Sequence, residues 1–105
     1  SELPLEKPLR VFCVDDSGTI LALLKKMLSK EHGFEVVGMA SNGKEALDKI
    51  ASVSFDVMTL DIHMPEMDGI SYLQAIRGRR HAPVVMVSTV ARENVDLALK
   101  ALELG

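Results

Sequence analysis

A chain of 105 residues has room for one domain of about 100–150 residues and none for a second catalytic one. With 48% hydrophobic and 26% charged residues it falls outside the disordered class, and a net charge of −3 excludes general attraction to nucleic acid or an anionic membrane as its main work. The single cysteine, Cys13, excludes an internal disulfide framework and a thiolate metal cluster, and it suits a reducing, cytoplasmic compartment.

Residues 1–8 carry Pro4 and Pro8 and no periodicity, so they read as a leader or expression remnant, with the domain expected over 9–105. SELPLEKPLR lacks the apolar core of a signal peptide, and no apolar run reaches the roughly 18 residues of a membrane span. Leu9–Val14 (LRVFCV) is an apolar run ending in two aspartates, as in a strand buried on both faces of a parallel sheet. Ile20, Leu23, Leu24, Met27 and Leu28 then fall at helical spacing, and Gly33 is the expected stop. Phe34–Ala40 (FEVVGMA) predicts a second strand. A helix follows, capped by Asn42 with Glu45 as its reciprocal partner and burying Ala46, Leu47 and Ile50. Residues 55–60 (FDVMTL) predict a third strand that ends at Asp61. Asp68 or Gly69 opens a third helix with Ile70, Leu73 and Ile76 inward, and Gly78 ends it. Residues 83–87 (PVVMV) predict a fourth strand ending at Ser88 and Thr89, and Ala91, Val95, Ala98, Leu99 and Leu102 form the stripe of a last helix.

Four strand–helix units in succession imply right-handed crossovers and an α/β fold, a parallel sheet with helices on both faces. Ligands in such sheets sit outside the carboxyl ends of the strands. That edge receives Asp15 and Asp16 from the first strand, Asp61 from the third and Ser88 from the fourth. In a flavodoxin-like strand order the first and third strands are neighbours, which brings the three carboxylates together; their mutual repulsion calls for a hard cation. Mg²⁺ fits, because it takes oxygen ligands and favours one or two carboxylates plus phosphate oxygens. An ionised carboxylate is also a nucleophile toward phosphorus. Asp61, at the centre of the sheet, is the better candidate for that role; Asp15 and Asp16 are placed for the metal, and Ser88 for a hydrogen bond to a phosphoryl oxygen.

VDDS at 14–17, LDIHMPEMDG at 60–69 and PVVMVST at 83–89 resemble the bacterial response-regulator receiver domain, in order and spacing, over nearly all of 9–105. SNGKEAL, MVST and KALELG look most like the receiver of chemotaxis protein-glutamate methylesterases. The resemblance implies a flavodoxin-like doubly wound sheet, Asp61 as phospho-acceptor and Asp15 and Asp16 serving Mg²⁺. It also implies a metal contact from the backbone carbonyl of His63, Ser88 as switch hydroxyl, a histidine kinase upstream and an effector domain or protein downstream. The family's fifth strand and helix, with its phosphate-pairing lysine and switch aromatic, are absent from this chain. A fourth strand left as an edge would suit pairing with a second copy through that strand and the helix after it.

Other readings compete. His32, His63 and His81 lack zinc-type spacing and read as structural side chains. Cys13 reads as a small core hydrophobe, and Arg77, Arg79, Arg80 and His81 as cations complementing the end of the third helix, with partner docking as a second role. The rival enzyme is an aspartyl-phosphate phosphatase of haloacid-dehalogenase type, but its second aspartate, two residues after the nucleophile, is His63 here. A stand-alone receiver outside chemotaxis is the other alternative. No nucleophile–His–Asp set for ester cleavage is visible, so the chain is expected to be regulatory rather than catalytic even if its parent is a methylesterase.

Overall fold

The structure, a computed structural model, describes residues 7–87. Strands and helices alternate: β1 Leu9–Val14, α1 Gly18–Met27, β2 Phe34–Ala40, α2 Gly43–Ile50, β3 Val57–Leu60, α3 Gly69–Ile76 and β4 Val84–Met86. A 3₁₀ turn, Lys30–His32, precedes β2. The four strands are parallel in the order β2-β1-β3-β4, the flavodoxin-like order expected. Right-handed crossovers and the reversal of direction after β2 put α1 on one face and α2 and α3 on the other. Among the described residues no helix is long and apolar enough to cross a membrane.

β1 is central, and burial deepens along it until Val11 to Asp15 are all buried. Its side chains alternate between faces. Phe12 and Val14 join Met58 and Leu60 of β3 under Ala46 of α2 and Tyr72 and Ile76 of α3, each large apolar side chain contributing roughly 1.5–3 kcal/mol. Burial pushes the Cys13 thiol up, in keeping with a core hydrophobe. Register then aligns the carboxyl ends: Val14 lies opposite both Ala40 and Leu60.

Several local expectations are corrected. In α1, Ile20, Leu24 and Leu28 are half-buried, but Leu23 and Met27 are 50% and 56% exposed. Leu21 is half-buried as well, so the face turned toward the sheet runs through positions 20, 21, 24 and 28, and Leu23 and Met27 lie to one side of it. α1 also ends at Met27, well before Gly33, whose positive φ of 86° closes the 3₁₀ turn instead. In α3, Ile70 faces out and Tyr72 takes the inward place beside Leu73 and Ile76. β3 starts two residues later than 55, because the Asp56 carboxylate accepts the Arg10 N–H (2.9 Å) that a continuing ladder would give to a carbonyl. Phe55 meanwhile packs its ring 5.4 Å from that of Phe12. The predicted last helix lies outside the described residues.

α2 starts where expected, with Asn42 as its cap, and only the partner of the Glu45 side chain differs, by one residue. Asn42 Oδ1 accepts from the Glu45 N–H (2.8 Å) as expected, but Glu45 reaches back to Ser41, whose N–H and Oγ both donate to Oε1 at 2.7 Å. Lys49 adds an ion pair to Oε2 (2.7 Å) and donates to the Met39 carbonyl, tying α2 to β2. The Lys49 hydrogen bond, then those from Ser41, hold the Glu45 carboxyl down at about 2 against an ordinary 4.5. A depressed folded-state value means stability that is present above the unfolded value and lost as pH falls. Glu45→Gln should therefore flatten the acid side of the stability curve between about pH 4.5 and 2, read from thermal midpoints against the parent. The effect should be small, because the pair is partly in water.

Candidate functional site

The strands deliver three carboxylates to one rim. The Asp15 N–H donates to the Ala40 carbonyl (3.0 Å) and the Asp61 N–H to the Val14 carbonyl (2.9 Å), so each ladder runs one step past its strand and stops at an aspartate. Asp15 Oδ1 then accepts from the Ser17 N–H (2.9 Å), an Asx turn, and Ser17 Oγ caps α1 by accepting from the Ile20 N–H (3.2 Å). Asp15 is 2% and Asp61 0% exposed, whereas Asp16 is open to solvent. One oxygen from each of Asp15, Asp16 and Asp61 lies within 4.8 Å of the others.

Charges that close repel by about 3 kcal/mol per pair at an effective dielectric near 20. Three hard oxygen donors at this spacing match Mg²⁺, whose ligands sit about 2.0–2.1 Å from the ion, with at most a small closure or a water replacing one direct contact.

The loop between β3 and α3 is pinned along its length. The Gly69 N–H donates to the Ile62 carbonyl and the Gly43 N–H to the Met67 carbonyl, both at 2.8 Å. The Met67 N–H reaches the Pro65 carbonyl (2.7 Å) across Glu66 at φ 66°, a γ-turn of the strained, positive-φ kind. Asp68 caps α3 by accepting from the Ser71 N–H (2.8 Å); that bond holds its carboxyl below the usual range, helped by the nearby His63 imidazole. His63 itself is exposed, and among the described residues its carbonyl enters no backbone hydrogen bond, unlike that of Ile62.

Of the residues singled out in the sequence, Asp15, Asp16 and Asp61 are brought together, and His63 stands on the loop leading away from Asp61. Ser88 lies outside the described residues; its neighbour Val87 donates to the Leu60 carbonyl (3.0 Å), next to Asp61. Sequence reasoning missed Gly69 as a site residue. A Cβ there would lie 2.3 Å from the Asp61 carbonyl oxygen and 3.0 Å from Ile62 Cα, so only glycine lets α3 approach the backbone of Asp61 this closely. The Asp-Gly pair at 68–69 was the available signal, read only as a helix start.

Residues 11–105 match the family model described as the response regulator receiver domain. The chain is 43% identical over 103 residues to protein-glutamate methylesterase/protein-glutamine glutaminase 2 of Xanthomonas oryzae pv. oryzae, covering 98% of this chain and 29% of that protein. It is 45% identical over 96 residues to the corresponding protein of Lawsonia intracellularis, covering 91% and 27%. The chain thus spans less than a third of these relatives. Among solved structures, the response regulator domain of Thermotoga maritima CheB superposes with a TM-score of 0.74 at 35% identity, covering 92% of this chain and 72% of that one. The response regulator TrrA from Thermotoga maritima in complex with Mg²⁺ and BeF superposes with a TM-score of 0.70 at 36% identity, covering 85% and 76%.

Proposed function

The chain belongs to the response regulator receiver domain family, and from that premise we propose that residues 9–105 are the phospho-accepting signalling domain of a two-component regulator, with Asp61 as the acceptor. The observation that carries this is the convergence of the Asp15, Asp16 and Asp61 oxygens within 4.8 Å at the carboxyl ends of β1 and β3. An Asp61 oxygen attacks phosphorus of a phosphohistidine on the kinase; the O–P bond forms as the P–N bond breaks, and the imidazole leaves. The acceptor is itself buried after the buried Leu60, and its N–H bond to Val14 fixes its place beside Asp15. Asp15, Asp16, Asp61 and the His63 carbonyl would hold Mg²⁺, which when bound would neutralise the carboxylates and the charge on the transferring group. Ser88 is assigned the hydrogen bond to a phosphoryl oxygen. Output then comes from a shift in the region after β4, read by an effector domain or protein, rather than from catalysis.

The methylesterase relatives support a finer reading: a regulatory domain in a cytoplasmic chemotaxis methylesterase, whose hydrolase is a separate part of the protein. The decisive titration follows backbone NMR signals on adding Mg²⁺ and then beryllofluoride, a phosphoryl mimic. Saturable shifts at 15, 16, 61 and around Val87 are expected. A response to Mg²⁺ alone would keep the metal site and remove the phosphoryl assignment, and no response to either would overturn both.

A second copy is a further partner we assign, through β4 and the chain that follows it. β4 stands last in the order of the described strands, and its exposed apolar side chains, Val85 at 53% and Met86 at 37%, support pairing with another chain. Sedimentation velocity should show a dimer that grows with concentration; a monomer across the whole accessible range removes this assignment.

A further inference from the structure

At the opposite end of the sheet from the carboxylates, where β3 and β4 begin, lies a groove of about 210 Å³. Ile50, Val53, Phe55 and Ala82 give it apolar walls, and Arg80 and His81 edge it. The walls are held in place. The Phe55 ring packs 5.4 Å from Phe12 and meets His81 edge-on at 5.7 Å. His81 Nδ1 lies 2.6 Å from the Ala82 carbonyl, which can only accept, so Nδ1 donates there, and Nε2 is hydrogen-bonded to the Tyr72 hydroxyl at 2.7 Å. Tyr72 is itself wholly buried, which pushes its hydroxyl up to about 12 and keeps it a donor. A groove walled by side chains already locked in one arrangement needs little ordering on binding.

Size and charge say what fits. Small-molecule and cofactor pockets run to about 300–1,000 Å³, so 210 Å³ is too small for one and suits a single large apolar side chain. Arg80 lines it, Arg77 and Arg79 precede Arg80 in the chain, all three are exposed, and among the described residues none of them pairs with a carboxylate. On a chain of net charge −3 the three arginines are a local concentration of positive charge with no ion pair among the described residues.

We propose that this groove docks a partner protein segment in which one large apolar side chain is flanked by carboxylates. The side chain fills the space between Phe55 and Ala82, and the carboxylates meet the guanidinium groups of Arg79 and Arg80, whose planar forks match them. Lying at the amino ends of the strands, the groove leaves the rim at Asp61 open, so both ends of the sheet can be engaged at once.

The probe is an acidic pentapeptide with a central phenylalanine, titrated into the full chain and followed by NMR. Saturable shifts are expected at Ile50, Val53, Phe55 and Ala82. A peptide with glycine for phenylalanine should bind about tenfold more weakly or worse. An Arg79→Glu, Arg80→Glu double variant should lose the shifts while its response to Mg²⁺ and beryllofluoride at Asp61 stays as in the parent. Equal binding of the glycine peptide would reduce the site to general attraction for polyanions and overturn the proposal. So would unchanged binding by the double variant, or no saturable shift with any peptide. Concentration-dependent shifts at the groove in the protein alone would assign it to a second copy instead.

Discussion

Asp61→Asn is expected to leave the chain unable to take up a phosphoryl group and, without divalent cation, more stable than the parent. The amide has nearly the shape of the carboxylate, so packing at a fully buried position survives, but a neutral carboxamide is no nucleophile toward phosphorus. It also removes one of three negative charges whose oxygens lie within 4.8 Å. At about 3 kcal/mol per pair for an effective dielectric near 20, even a partly relaxed cluster should return about 1–2 kcal/mol of stability. Added Mg²⁺ should reverse the order. A cation at a hundred times its dissociation constant stabilises the parent by about 2.7 kcal/mol, and a variant with one fewer charged ligand should gain much less. Urea unfolding of both chains with and without Mg²⁺ measures all four values. A variant less stable than the parent in the absence of cation would mean that Asp61 is held by favourable bonds stronger than its repulsions.

Gly69→Ala should damage both fold and site from a position that carries no chemistry. The added methyl would stand 2.3 Å from the Asp61 carbonyl oxygen, 3.0 Å from Ile62 Cα and 3.2 Å from the Asp61 carbonyl carbon. All three are backbone atoms, so no rotamer change relieves the clash: either α3 lifts away from the loop or the acceptor moves. Overpacking of this kind costs about 1–3 kcal/mol, and the Gly69 N–H bond to Ile62 and the Asp68 cap should weaken with it. The response to beryllofluoride should fall along with stability. Gly18→Ala is the matched control. It adds the same methyl where nothing lies within 4 Å, and it should leave both readings near those of the parent. Equal behaviour of the two variants would mean that α3 shifts freely and that the close approach to Asp61 has no role.

Both expectations rest on features that differ in how plainly the sequence announces them. The three aspartates were legible because an alternating strand–helix pattern sends strand ends to one edge, and the apolar runs Leu9–Val14 and Phe34–Ala40 mark their strands to the residue. Ile70 was misread because the rotation of α3 is fixed where Gly69 meets the Asp61 backbone, a contact that helical spacing does not encode. The start of β3 was misread for a similar reason, since the Asp56 carboxylate finds its partner in Arg10, 46 positions away. Leu23 and Met27 scored as core because they are apolar at the right spacing, yet the helix turns the face through Ile20, Leu21, Leu24 and Leu28 inward and leaves them outside. Local pattern supplied identity and order, and long-range contacts supplied rotation and register.

The central place of β1 has a consequence in time. Its backbone is bonded on both sides, by β2 and by β3, and its side chains from Val11 to Val14 are sealed. Its amides should therefore exchange with deuterated solvent only through openings close to global unfolding, while those of α1, with no fully buried residue, should exchange through local fraying. Asp15 and Asp61 are the next residues on the two most protected strands. A carboxylate cluster that repels itself is thus anchored on the slowest-opening part of the molecule, and the tension in it can be kept for as long as the domain stays folded.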